Sequence, residues 1–213
     1  MNTGLPLLVV LEGVNDIAFL KTVGTILRRD DSNLPDLVQL ELDHRIIFLP
    51  VGGSNLKDWM QRIAGLHKKE FHLYDREQEP ETSERRQVVD AINLRPGCKA
   101  VLTSKRALEN FLHPQVVRDA CSEQIAFNDD TDVPTLLAQI MLARSGGPTW
   151  PLYSCKGQRR LRERAKKILN HKAVSLMTPQ LLAEQDPHGE VVGWLRSIRE
   201  LLDLVLADNG NAA

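Results

Sequence analysis

The stretch LLVVLEGVNDIAFLKTV, residues 7–23, decides the fold. Leu7 to Leu11 are five consecutive apolar residues with no polar alternation, the pattern of a strand covered on both faces in a parallel sheet. Glu12-Gly13 ends the run as a turn. Ile17, Phe19, Leu20, Val23, Ile26 and Leu27 then recur at helical spacing. The same unit repeats downstream. A polar stretch, Asp30 to Pro35, closes the helix, and Arg45 to Val51 reads as a second strand running into Gly52-Gly53. Trp59, Ile63 and Leu66 mark a helix, and Phe71 to Tyr74 a third strand ending at Asp75. A helix through Val88, Val89 and Ile92 leads to a fourth strand, Ala100 to Thr103. Strands alternating with helices in the order βαβαβαβα predict an α/β fold: an open, mainly parallel sheet with helices on both faces. In such sheets ligands bind beyond the strand C-terminal ends.

Beyond about residue 113 the strand signals stop. The segments near 133–143, 156–170, 178–185 and 190–206 read as helices punctuated by Pro134, Pro148, Pro151, Pro179 and Pro187. The expected organisation is an α/β domain over 1–112, a helical appendage packed on it over 113–206, and a flexible tail over 207–213. With 213 residues and 42% hydrophobic, the chain is sized for one sizeable core. Its 27 Lys+Arg against 28 Asp+Glu leave a net charge of −1, so contact with a polyanion requires a local basic patch. Cys98, Cys121 and Cys155 form no C-x-x-C pair, which argues against a disulfide framework or zinc site and fits a cytoplasmic protein. The apolar N-terminal run is interrupted by Glu12 well before the roughly 20 residues needed to span a bilayer, so no membrane role is expected.

The acids fall at informative places. Glu12 ends the first strand, Asp16 follows four residues on, and Asp75 and Glu77 leave the third strand, so all four are expected on one rim. Carboxylates about 4 Å apart repel by roughly 4 kcal/mol at an effective dielectric near 20. Such a cluster needs a cation, a shared proton or separation. Oxygen ligands without His or Cys suit Mg²⁺ or Mn²⁺. Lys105 and Glu109, in TSKRALENFL after the fourth strand, are expected to share a helix face at that rim. Ser54 or Asn55, after Gly52-Gly53, could present backbone N–H groups to a phosphate, but a lone Gly-Gly is a weak signal and a simple αβ turn is the favoured reading. Asp129, Asp130 and Asp132 read as a loop and helix cap, and the six histidines show no ligand spacing.

Taken together, these motifs resemble a Toprim domain of the kind found in the overcoming-lysogenization-defect (OLD) family of nucleases. LVVLEGVNDIAFL matches the strand-Glu-Asp motif, FLPVGGSNLKDW the Gly-containing turn, HLYDRE the D-x-D position and LTSKRALENFL the Lys followed by Glu-Asn-aromatic. The C-terminal MTPQLLAEQDPHGEVVGWLRSI is similar to the helical tail of such proteins. The resemblance implies metal-dependent phosphodiester cleavage with one or two Mg²⁺ or Mn²⁺ ions. Glu12 would bind metal or act as general acid/base, assisted by Asp16. Asp75 and Glu77 would hold metal, Glu109 would complete a second metal site, and Lys105 would stabilise the transition state. Glu77 departs from the pattern, being one methylene longer than the usual Asp. OLD proteins join this domain to an ATPase; with no G-x-x-x-x-G-K-[ST] here, the expected arrangement is a separate ATPase partner, as in anti-phage defence.

The segment from Lys156 to Lys172 holds eight Lys/Arg and one acid. Lys156, Arg159, Arg160, Arg162, Arg164, Lys166 and Lys167 form a candidate surface for DNA or RNA phosphates, while Leu161, Ala165, Ile168 and Leu169 pack inward. Two readings compete with a nuclease: a catalytically weak Toprim module that binds nucleic acid or a partner ATPase, and a phospho-acceptor receiver domain. The receiver needs paired acids after its first strand, where Glu12 stands alone. A topoisomerase needs a catalytic tyrosine in a separate domain and a primase a zinc module, and neither is evident.

Overall fold

The computed structural model describes residues 5–52, 56–66 and 68–210. Strands β1 (Leu7–Leu11), β2 (Ile46–Pro50), β3 (Glu70–Tyr74) and β4 (Cys98–Leu102) form one sheet, all parallel, in the order β2-β1-β3-β4. The unbroken apolar run of β1 is explained by its place between β2 and β3, where every residue is buried. Edge strands β2 and β4 are only partly covered.

The pleat sends alternate side chains to opposite faces. Leu7, Val9 and Leu11 join Phe71 and Leu73 against α1 (Val14–Arg28), α2 (Leu37–Leu42), α5 (Pro114–Cys121) and α9 (Glu190–Gly210). Leu8, Val10 and Tyr74 meet α3 (Leu56–Ala64) and α4 (Glu81–Asn93) on the other face. The fold is therefore α/β with helices on both faces. The first of these clusters continues through Leu112, Val117, Leu137, Leu169 and Trp194 to Leu202, so the helices after residue 113, including α6 (Val133–Arg144), α7 (Cys155–Lys167) and α8 (Pro179–Gln185), share their core with the sheet. Among the described residues, no helix is long and apolar enough to cross a membrane.

Three local features depart from the sequence reading. Two helices were not expected: α2, capped by the Asp36 side chain accepting from the Gln39 N–H, and α5, which starts at Pro114 with His113 accepting from Gln115 N–H. Residues 103–107 form no helix. Leu108–Phe111 is a short 3-10 turn, so Lys105 and Glu109 do not share a helix face. The reason is a set of competing hydrogen bonds: Thr103 Oγ1 donates to the Lys105 carbonyl, and Asn110 accepts from Ala107 N–H while donating to the carbonyls of Asn128 and Thr131. Finally, α7 runs into a π-helical turn at Ile168–Ala173. Gly53, Ser54 and Asn55, the candidate phosphate turn, lie outside the described residues.

Candidate functional site

The chain leaves β1 for β2 on one side and later enters β3 on the other, so the strand order reverses between β1 and β3. In open parallel sheets ligands bind at such a reversal, beyond the strand C-termini. Glu12 follows β1 and Asp75 follows β3, which places both at this switch point. The Asp75 N–H donates to Glu12 Oε1 at 3.1 Å, tying the two turns together. Asp16 reaches the same place from the first turn of α1 and is buried. Its carboxylate lies back over Gly13, where an added Cβ would sit 3.4 Å from Asp16 Oδ2. Glu109, in the 3-10 turn, is fully buried; Oε1 accepts from Asn170 Nδ2 at 2.7 Å, whereas Oε2 has no hydrogen-bond partner.

These four acids act on one another. Burial pushes the Asp16 carboxyl up to about 7, with Glu109 next in effect and Lys166 opposing. Asp75 is raised well above the ordinary carboxylate range, first by burial, then by the charges of Glu12, Asp16 and Glu109. Burial also raises Glu12, although Arg85 pulls the other way. Carboxyls raised in this way keep their protons to higher pH than usual unless a cation takes the place of the protons.

The cations nearest the cluster are not the one singled out in the sequence. Arg85 of α4 grips Glu12 with both terminal nitrogens, Nη2 to Oε2 at 2.9 Å and Nη1 to Oε1, and Nη1 also donates to the Asp75 carbonyl. Lys166, near the end of α7, has its ammonium pushed up by Glu109 above all, against burial, and by Asp16, Asp75 and Glu12. Lys105 Nζ instead pairs with Asp129 Oδ1 at 2.6 Å, 5.3 Å from the centre of the Phe111 ring. Glu77 has a left-handed backbone (φ 56°), with its N–H donating to the Arg106 carbonyl at 2.8 Å and its carboxylate 3.5 Å from Arg106 Nε. It influences Glu12 electrostatically.

Glu12, Asp16, Asp75 and Glu109 are therefore gathered, Glu77 stands beside them, and Lys105 is turned to another acid. Of the basic-helix residues, Lys166 belongs with the carboxylates rather than on a free phosphate-binding face, and Arg162 lies 3.3 Å from Asp132. Lys156, Arg159, Arg160, Arg164 and Lys167 are exposed. Arg85 and Asn170 escaped sequence reading. Neither carries a motif, and both lie far along the chain from the acids they touch.

The donor set suits a hard divalent cation: carboxylate oxygens throughout, one of them buried and unpartnered. As the side chains stand, no three His, Cys, Asp or Glu among the described residues converge closely enough to hold a metal ion. Glu12 is held by Arg85, Asp75 Oδ1 by the Leu108 N–H at 3.0 Å, and Glu109 by Asn170.

Fold and site define a parallel α/β protein with a carboxylate cluster at its switch point. No protein-family model matches the chain, and no curated protein matches it significantly. A solved structure, the C-terminal region of the OLD protein of Xanthomonas campestris pv. campestris, is similar over 97% of each chain, at 14% identity and a TM-score of 0.49. At that identity the chemistry rests on this chain's own residues.

Proposed function

We propose that the protein is a Toprim-type nuclease that hydrolyses phosphodiester bonds in DNA or RNA with Mg²⁺ or Mn²⁺. The observation that carries this reading is the gathering of Glu12, Asp16, Asp75 and Glu109 at the sheet's switch point, with Glu109 Oε2 buried and unpartnered. Asp16, Asp75, Glu77 and Glu109 would hold one or two ions, and Glu12 would bind metal or exchange a proton with the attacking water. A bound divalent ion supplies charge neutralisation on the scissile phosphate and lowers the pKa of water. Lys166, on which the same carboxylates act, would offer a cation to a non-bridging phosphate oxygen. Lys105, the cation the family motif indicates, would have to exchange Asp129 for that phosphate. An ATPase partner in anti-phage defence remains part of the proposal on the family resemblance.

A second reading, a module that binds nucleic acid or a partner ATPase with little chemistry of its own, is favoured by one feature. Arg85 occupies both oxygens of Glu12. Cleavage of supercoiled DNA, linear DNA and tRNA with Mg²⁺ or Mn²⁺ separates the two. The nuclease reading expects metal-dependent products that disappear in Glu12→Ala and Asp75→Ala. Absence of products from every substrate with either metal supports the binding module.

A further inference from the structure

The basic helix α7 divides its cations between two faces. Lys166 turns to the carboxylates and Arg162 to Asp132. Lys156, Arg160 and Arg164, spaced four apart, line a cavity of about 610 Å³ together with Tyr153, Ser154 and Gly157. Among the described residues these three have no carboxylate partner, and Glu163 is the one acid of α7. Like charges four apart on a helix repel, so an unrelieved row of three is unfavourable unless an anion answers it.

The cavity wall is built rather than incidental. A Cβ at Gly157 would fall 2.5 Å from Tyr153 Cε1, so the ring can lie against the helix only because that position is glycine. Glycine inside a helix is otherwise disfavoured. Successive cations rise about 6 Å along the axis, comparable to the separation of neighbouring phosphates along a strand. The same helix carries Lys166, which the carboxylate cluster acts on, so the cleft and the acids are held by one element.

We propose that Lys156, Arg160 and Arg164, walled by Tyr153, form a cleft that binds the phosphate backbone of a nucleic acid strand without regard to base sequence. The identity of this ligand rests on the nuclease reading above.

Binding is measured by fluorescence anisotropy in EDTA, where cleavage does not intervene, with labelled duplex DNA, single-stranded DNA and RNA and with inorganic phosphate as competitor. Arg160→Gln with Arg164→Gln is expected to weaken binding about tenfold or more and to lower the slope of log K against log salt by about 1.8 for duplex DNA, at about 0.9 per phosphate contact. Arg118→Gln with Arg199→Gln removes the same charge elsewhere and should change neither. Gly157→Ala displaces Tyr153 and should weaken binding with the salt slope unchanged. Thermal melts verify that each variant is folded. Equal losses in the two arginine pairs, or no loss in either, overturn the cleft. Binding of inorganic phosphate as tight as that of the polynucleotides overturns it in favour of a small-anion site. Metal-dependent cleavage by the wild type, alongside unaltered binding by the Arg160/Arg164 variant, refutes the cleft and leaves the nuclease reading intact.

Discussion

Replacing Asp16 with Asn should stabilise the metal-free protein at high pH and do little at low pH. Asp16 is 4% exposed, and its carboxyl is raised from 3.8 to about 7, with burial the first cause and Glu109 the second. A carboxyl raised on folding binds more protons in the native state, so stability falls as pH climbs from the unfolded value through the folded one and levels off above it. The shift of about three units corresponds to a cost of about 4 kcal/mol at pH 8, shrinking to about 1 kcal/mol at pH 4.5. Asn keeps the shape and removes the charge. For a chain of this length the gain at pH 8 should raise Tm by about 8–16 °C, and by no more than about 4 °C at pH 4.5. The assay is thermal or urea unfolding in EDTA across that range. A gain of equal size at both pH values, or a loss at pH 8, would refute electrostatic crowding at this site.

Other consequences follow from the same contacts. Arg85→Met leaves the part-buried Glu12 without its guanidinium and should cost up to about 3 kcal/mol in urea unfolding at pH 8; an unchanged midpoint would mean that the pair is dispensable. Asn170→Ala strips Glu109 Oε1 of its donor among the described residues and should cost about 1–3 kcal/mol, a penalty that saturating Mg²⁺ reduces if the freed oxygens take up the ion. Glu70, buried at the opposite end of β3, accepts from His72 Nε2 at 2.8 Å and from Arg95. Burial would raise its carboxyl, but these hydrogen bonds hold it below its usual value. Its contribution is present above pH 4.5 and lost as pH falls through the lowered folded value. Glu70→Gln should therefore be less stable than wild type at pH 7, with the gap closing in acid.

Much of the fold was legible because backbone burial leaves a compositional trace. Leu7 to Leu11 carries no alternation, since β1, like β3, is flanked on both sides and covered on both faces. Glu12 and Asp75 could be placed at one rim because each directly follows a parallel strand. What escaped depends on partners remote in sequence. Arg85 sits in a polar helix with nothing to mark it, 73 residues from the Glu12 it grips. Asn170 reaches Glu109 from a π-helical turn that no periodicity announces. The Lys105–Glu109 spacing misled because the hydrogen bonds of Thr103, Asn110 and Asp75 hold a loop and a 3-10 turn where an α-helix was expected. Helices α2 and α5 did leave signals, an Asp36 cap and Pro114 at a first helical position, but each is too short to show a hydrophobic period.

The claim on which the account turns is that the carboxylate cluster takes up a divalent cation. Mn²⁺ binding, followed by electron paramagnetic resonance of the free ion with proton release recorded in parallel at pH 7, tests it without relying on activity. The account predicts one or two ions bound by the wild type, protons released as the raised carboxyls of Asp16 and Asp75 ionise, and binding lost in Asp75→Asn. Failure of the wild type to bind Mn²⁺ at millimolar concentration, or binding that Asp75→Asn leaves unchanged, would contradict it.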